Sequence, residues 1–450
     1  MAEFTDLVLL VGTNPLPNYV VARYFLDNNE KLQYIWLIHS EENKALEQNG
    51  TLKFANYIRD RIPDAQERFR FVALSDVNSA QQIGKDLSKK MCSRISRDAK
   101  LHLNYTGGTK AMSVHVYQKL KEQFKERISF SYLDARSFRL IEDDQENLSG
   151  DLRKKVYINM EELFKLHGYK RKLENDTDPE MHYTKAFQKI KWLINQENLD
   201  VLLKWQKEFA RKLFYDDKGL IEETRKFLKN LQQLIMNDQI NKVEVDTFRE
   251  KFKVVTPPEV IEILKILPSP NIIDENNGLW MPSQDTTNRE FKKRVKGVIE
   301  FLDGKWLEHY VFEVLNESIY QDPVLKSEYN RGWISLEHNW KIEKEDTKDF
   351  EVDVILLYGY QLCGVSCTTS QRENECKLKG FEIIHRMRQI GGDEAGMVLV
   401  TCLSDEKKDQ FWQDLLTSTG SKRKNFLVLT KGDLNRLSLW TKIRQHIWGD

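Results

Sequence analysis

The chain has 450 residues, enough for two or three domains that each have a core of their own. Hydrophobic residues make up 40% and charged residues 31%, which excludes a disordered chain. Basic and acidic residues are equal at 69 each, so the net charge argues against a large non-specific DNA binder, and any polyanion site must be a local patch.

The sequence has no signal for export or for membrane insertion. Its amino-terminal segment lacks a basic region and a cleavage site, and no apolar run approaches the roughly 20 residues that span a bilayer. The five cysteines are an odd number in a large chain, which argues against a disulfide framework. We therefore expect a cytoplasmic protein with no membrane partner.

Residues 1–150 are predicted to form a front domain in which strands alternate with helices. Short apolar runs at 6–12, 32–40, 69–76, 101–110 and 128–135 are typical of buried parallel strands, and amphipathic helical patterns separate them. This alternation predicts an α/β, Rossmann-like, doubly wound parallel sheet.

Residues 151–288 are predicted to form a helical connector. The stretch from 178 to 236 is charged, with apolar residues at helical spacing, and 268–288 is rich in the residues of loops. Residues 241–260 fit either a short strand or part of a winged helix, and the sequence leaves this open.

Residues 289–450 are predicted to form a rear, mixed α/β domain. Helical patterns cover 304–317 and 376–392, and strands are expected at 334–343, 397–402 and 426–430. Between them, 351–367 reads as a hairpin that turns at Gly359.

The turn after the fourth predicted strand has chemistry suited to anions. Gly107 and Gly108 allow close approach of the backbone, and Lys110 brings a cation to a helix N-terminus. Thr106 and Thr109 add hydroxyl groups. A second turn at 12–17 follows the first strand, and ligands of open α/β sheets bind at such strand ends. Neither turn is a P-loop or GxGxxG, which disfavours ordinary kinases, GTPases and dehydrogenases.

The segments LVLLVGTNPLPN and LHLNYTGGTKAM resemble the two signature regions of CRISPR-associated Rossmann-fold (CARF) sensor domains. This resemblance implies a homodimer that binds a cyclic oligoadenylate across its two-fold axis, and we expect the ring to be cyclic tetra-adenylate. It implies a pocket lined by the two glycines and by the following side chains: Thr13, Asn14, Ser40, Thr106, Thr109, Lys110 and Met112.

The rear domain carries carboxylates in positions that suggest a metal site. Asp353 lies in an apolar strand, where a buried carboxylate is costly unless it is paired, hydrogen-bonded or bound to metal. Glu351 precedes it on the same face of that strand, and Glu308 lies in the helix before. Such oxygen ligands suit Mg²⁺ or Mn²⁺.

The order of helix glutamate, strand aspartate, second hairpin strand and helix resembles the PD-(D/E)xK restriction-endonuclease-like fold. Where that family carries Glu-x-Lys, this sequence has Ser366, Cys367 and Thr368. In variant members the lysine lies on the following helix, which here begins with Lys377 and Lys379, and Lys379 matches better.

The two resemblances together point to the Can/Card type of CRISPR ancillary nuclease, in which the sensor and the nuclease are fused. They imply a metal-dependent endonuclease, activated by cyclic oligoadenylate, that cuts single-stranded DNA, RNA or both in type III CRISPR defence. One alternative is a ligand-sensing regulator whose rear domain binds nucleic acid without cutting it. Another is a sensor that degrades its own ligand.

Overall fold

A computed structural model describes residues 3–143, 149–172, 183–237, 252–283, 285–344 and 348–449. Most of the 241–260 segment, whose interpretation the sequence left open, therefore lies outside the described residues. None of the helices in the described ranges is long and apolar enough to cross a membrane.

The front domain is built on a six-stranded sheet. Its strands are β1 (Asp6–Leu10), β2 (Tyr34–Ser40), β3 (Phe69–Leu74), β4 (Leu101–Asn104), β5 (Ile128–Asp134) and β6 (Arg139–Glu142). The order β3-β2-β1-β4-β5-β6 is parallel except for β6, which pairs antiparallel with β5. The predicted parallel sheet is confirmed, and β6 is an addition to it. Because β1 pairs with both β2 and β4, the topological switch point lies at the β1–β4 junction.

Helices cover both faces of this sheet. They are α1 (Leu16–Asn28), α2 (Leu52–Asp60), α3 (Ala80–Lys90) and α4 (Lys110–Phe124). One face packs its apolar side chains under α3 and α4, and the other forms a core shared with α1 and with the rear domain. The front and rear domains are therefore joined by continuous apolar packing.

The middle of the chain is largely helical, as predicted. Its elements are α5 (Met160–Leu166), the short strand β7 (Lys170–Arg171), α6 (Thr184–Asn195), α7 (Asp200–Trp205), α8 (Arg211–Phe214), the hairpin of β8 (Tyr215–Asp216) and β9 (Gly219–Leu220), α9 (Thr224–Asn237) and α10 (Pro258–Ile266). A π-helical turn at Gln206–Ala210 joins α7 to α8.

The rear domain holds a second, mixed sheet. Its helices and strands are α11 (Asn288–Glu300), α12 (Trp306–Gln321), α13 (Pro323–Asn330), β10 (Ile334–Glu343), β11 (Phe350–Tyr358), β12 (Gln361–Thr368), α14 (Glu373–Gly391), β13 (Gly396–Thr401), α15 (Lys408–Thr419), β14 (Phe426–Leu429) and α16 (Arg436–Trp448). The sheet order is β14-β13-β12-β11-β10-β7, with the strands from β12 to β14 parallel and the others antiparallel.

The predicted hairpin of β11 and β12 turns at Gly359, which adopts a φ of +60°. A side chain there would also collide with the carbonyl oxygen of Arg153, so the position favours glycine for two reasons. The helices of the middle segment from α6 onward share one core with α12, α16 and one face of this sheet, whereas α5 packs in the core shared with the front domain. They are thus part of the rear domain's packing.

Candidate functional site

The two predicted ligand-binding turns of the front domain lie against each other at the switch point. A Cβ atom on Gly12 would lie 3.1 Å from the backbone nitrogen of Gly108, so the turns are in direct contact. A Cβ on Gly107 would collide with the carbonyl oxygen of Leu10, and Gly108 has a φ of +75°. The glycines therefore serve the close packing of one turn on the other.

Three of the predicted pocket side chains face outward beside these turns. Thr13, Thr109 and Lys110 are exposed. Thr109 caps α4 by accepting a hydrogen bond from the backbone N–H of Met112 at 3.2 Å. Lys110 is the first residue of α4, a position at which the partial positive charge of a helix N-terminus adds to its own.

Three others are directed into the protein. The Thr106 hydroxyl donates to the side-chain oxygen of Asn104 at 2.7 Å and accepts from the Leu133 N–H at 2.6 Å. Ser40 donates to the Asn49 carbonyl at 2.8 Å, and Met112 is buried. In this structure these residues shape the turns from within, because their polar atoms already have partners or their side chains lie in the core.

Asn14 connects the front domain to the rear domain. Its amide nitrogen donates to the Glu394 carboxylate at 3.1 Å, and its side-chain oxygen lies 3.3 Å from Nε2 of His167. Glu394 follows α14 directly along the chain. Sequence reasoning placed Asn14 in the ligand pocket and missed Glu394, because 380 residues separate this pair and no local pattern marks such a contact.

Glu394 is buried at this junction, and burial raises its pKa from the ordinary 4.5 to about 7. Between these two values the folded chain holds a proton that the unfolded chain has lost, so the free energy of unfolding falls as the pH rises through this window. Glu394→Gln does not titrate there. We expect it to melt above the wild type at about pH 8 and near it at about pH 5, with a difference on the order of 3 kcal/mol.

The matched control is Asp393→Asn, which removes the exposed carboxylate next along the chain. Melting curves recorded at both pH values by circular dichroism check this expectation. Equal melting temperatures for Glu394→Gln and the wild type at both values would contradict the assigned burial of that charge.

In the rear domain, Asp353 is a buried carboxylate held in one orientation by β12. Its Oδ2 accepts hydrogen bonds from the Cys367 backbone N–H at 2.6 Å and from the Ser366 hydroxyl at 3.2 Å. Burial raises the pKa of Asp353, while the charge of Lys379 and the Cys367 N–H oppose that rise. Ser366 and Cys367 at the end of β12 therefore position the aspartate.

Glu308, on the first turn of α12, lies close enough to interact with Asp353. Burial raises the pKa of Glu308 to about 8, and the charge of Asp353 adds to the rise. Within the described part of the chain, Glu308 has no hydrogen-bond or ion-pair partner. The buried Asp353 and the partly buried Glu308 repel each other, and together they form a donor set to which a divalent cation is suited.

The other residues predicted for this site, Lys379, Lys377 and Glu351, differ in their relation to the carboxylate pair. The charge of Lys379 lowers the pKa of both Glu308 and Asp353, and its ammonium nitrogen lies 3.9 Å from a carboxylate oxygen of Glu382. Lys377 instead forms an ion pair with Asp414 at 3.0 Å. Glu351 is exposed, and its Oε2 lies 3.9 Å from Nζ of Lys341. Among the described residues, no three His, Cys, Asp or Glu side chains are grouped closely enough to hold a metal, although the charge of Glu351 also raises the pKa of both Glu308 and Asp353.

Comparisons with known proteins bear on both halves of the chain. Residues 7–162 match the family model described as the Card1 CARF domain. The amino-terminal domain is therefore similar to CARF domains. A search of the curated proteins finds no match.

Two solved structures share the fold over nearly the whole chain. Can2 from Sulfobacillus thermosulfidooxidans, in complex with cyclic tetra-adenylate, has a TM-score of 0.55 and 15% identity, covering 97% of this chain and 98% of that chain. Protein VC1899 from Vibrio cholerae has a TM-score of 0.56 and 14% identity, with the same coverage of 97% and 98%. At these identities the likeness establishes the fold alone, in which a Rossmann-like front domain is followed by a mixed α/β rear domain.

Proposed function

We propose that this chain is a metal-dependent nuclease of type III CRISPR defence that is switched on by a cyclic oligoadenylate. The observation that carries the proposal is the pair of the buried Asp353 and the partly buried Glu308, whose pKa values the charge of Lys379 lowers, in a chain whose residues 7–162 match a CARF domain. Buried carboxylates of raised pKa beside a cation are typical of functional sites. Cyclic tetra-adenylate is the proposed activator, because Can2, which shares this fold, is described in complex with it.

The chain's own residues have distinct proposed roles at the rear site. Glu308 and Asp353 would hold Mg²⁺ or Mn²⁺, and the Cys367 N–H fixes the orientation of Asp353. The bound ion would supply Lewis acidity and an activated water. Lys379 would stabilise the negative charge that develops on the phosphate during attack. Two carboxylates leave further coordination positions for water and substrate oxygens, as is usual for Mg²⁺.

At the front site, we propose that two chains form a homodimer and enclose one cyclic ring. A two-fold symmetric ligand suits a two-fold axis, since each chain can present the same exposed Thr13, Thr109 and Lys110. Asn14 lies on one of the two turns and binds Glu394, which follows α14, the helix that carries Lys379. This connection supports a route by which ligand binding would alter the rear site, provided that the ligand binds the active arrangement more tightly.

The functional test is a cleavage assay with purified protein, a single-stranded DNA or RNA, and Mn²⁺ or Mg²⁺. We expect cleavage that requires both the metal ion and cyclic tetra-adenylate. An intact substrate with every metal and every cyclic oligoadenylate would exclude the nuclease.

Substitution of each candidate lysine distinguishes their proposed roles. Lys379→Ala should reduce the cleavage rate by about 10²–10³-fold, the usual loss when one donor to a developing charge is removed. Lys377→Ala is the matched control on the same helix and should stay within about threefold of the wild type, because it breaks only a surface ion pair. Initial rates under activator saturation measure both, and an equal loss in the two variants would contradict the assignment of Lys379.

A regulator that binds nucleic acid without cutting it is the second candidate function. It is supported by the end of β12, which lacks the lysine of the PD-(D/E)xK motif. There, Ser366 and Cys367 donate hydrogen bonds to Asp353. Salt-dependent binding without hydrolysis, in the presence of metal and activator, would favour this candidate.

A further inference from the structure

A polar pocket of about 280 Å³ lies between the helical middle segment and the turn that follows β12. The middle segment contributes side chains from α7, the π-helical turn and α8, and the rear domain contributes the residues between β12 and α14. The lining residues relevant here are Gln206, Lys207, Arg211, Lys212, Ser370 and Arg372.

Gln206 lines this pocket with an unused hydrogen-bond donor. The residue is only 4% exposed, and its Nε2 has no partner among the described residues. A buried donor without an acceptor costs about 1–3 kcal/mol. Gln206 also begins the π-helical turn, and such turns occur frequently at functional sites. An acceptor that arrives with a ligand would satisfy this amide.

The charges around the pocket favour an anion. Arg211 is paired with Asp303 at 2.7 Å, and Arg372 with Glu375 at 3.0 Å. Lys207 and Lys212 are exposed and form no ion pair within the part of the chain that the structure describes. The pocket thus carries two uncompensated cations and a buried amide donor, a set that matches the oxygens of a phosphate group.

The pocket adjoins the carboxylate pair through two elements. Thr369 lines it and lies two residues beyond Cys367, which binds Asp353, so the two Cα atoms are at most about 7 Å apart. The Thr369 hydroxyl donates to the carbonyl oxygen of Asp303, which lies in a second π-helical turn, Phe301–Lys305, that leads directly into α12 and Glu308. The pocket is therefore linked through Thr369 to the segments that carry both carboxylates.

We propose that the pocket binds a backbone phosphate of the nucleic-acid strand next to the nucleotide that is cut. The helical middle segment is then the substrate-binding part of the nuclease, with Lys207, Lys212 and Gln206 as its contacts. This inference rests on the proposed function, because it takes the ligand to be the substrate of the rear site.

The test measures binding of a labelled single-stranded DNA and RNA to the full chain carrying Asp353→Asn, by fluorescence anisotropy over a series of salt concentrations. Lys207→Ala with Lys212→Ala should weaken binding at least about tenfold and reduce the salt slope by about 1.4, the value for two lost phosphate contacts on a single strand. Lys204→Ala, an exposed lysine of α7 outside the pocket, is the matched control and should change neither.

Gln206→Leu provides an independent measurement. It should weaken binding about tenfold with an unchanged salt slope, yet leave the melting temperature of the free protein equal or higher, since it removes an unpaired buried donor. A variant that merely damaged the fold would lower that temperature.

Unchanged affinity in both the double-lysine variant and Gln206→Leu would overturn the proposal. Displacement of the labelled strand by inorganic phosphate as effectively as by unlabelled strand would also overturn it, because the pocket would then be a site for free anions. If the wild type binds through these residues but never cuts, the proposed nuclease fails while the assignment of the pocket stands.

Discussion

Asp353→Asn is expected to abolish metal-dependent cleavage, with a loss of at least about 10³-fold, because a catalytic metal supplies several kcal/mol of transition-state stabilisation. The substitution is nearly isosteric. The asparagine side-chain oxygen can still accept the hydrogen bond that Cys367 N–H now gives to the carboxylate. The change therefore removes a negative ligand and leaves the strand pairing intact, and initial cleavage rates with Mn²⁺ and activator measure the effect.

Glu351→Gln is the matched control for this variant, since it neutralises an exposed carboxylate two residues earlier on the same strand. It should keep its rate within about threefold of the wild type, because its ion pair lies at the surface. Asp353→Asn should also bind cyclic tetra-adenylate as the wild type does. Comparable losses in the two variants would indicate a three-carboxylate site, and full activity of Asp353→Asn would remove the metal site from the mechanism.

Lys110→Met is expected to produce the second large effect, the loss of activator binding. A charge-assisted contact contributes about 1.5–3 kcal/mol, and a ring across the two-fold axis meets two copies of Lys110, so the dissociation constant should rise about 10²–10⁴-fold. Isothermal titration with cyclic tetra-adenylate measures the constant and the expected stoichiometry of one ring for two chains.

The control for Lys110 is Lys121→Met, an exposed lysine near the other end of α4 and about 16 Å along its axis. It should bind the ring normally. At an activator concentration high enough to saturate it, Lys110→Met should recover its cleavage rate, because its rear site is unchanged. Wild-type affinity in Lys110→Met would contradict the placement of the ligand at the paired turns.

The regular elements of both domains were predictable because each has a local cause. Parallel strands buried on both faces are continuous apolar runs, and Gly359 marks the hairpin through its left-handed backbone. The antiparallel strand β6, at Arg139–Glu142, was not predicted. It has only four residues, two of them charged, and its pairing with β5 rather than its composition makes it a strand.

The candidate site was predictable only where a charged residue lies in a segment whose neighbours are apolar or glycine-rich. Asp353 stands out as a charge in an apolar strand, and Lys110 as a cation at a glycine-rich turn. The role of Asn14 at the domain junction and the pocket at Gln206 could not be predicted. Both depend on partners far apart along the chain, such as Glu394 for Asn14 and Ser370 across the pocket from Gln206.

The most direct test of the central claim is a crystal structure of the chain with Mn²⁺ and cyclic tetra-adenylate, with data collected at the manganese absorption edge. We expect an anomalous peak within about 2–2.6 Å of one oxygen each from Glu308 and Asp353, the range of hard-cation ligands. The peak should be absent from Asp353→Asn crystals. A manganese ion bound only elsewhere, or a Glu308 carboxylate turned away from Asp353 in the liganded protein, would contradict the central claim.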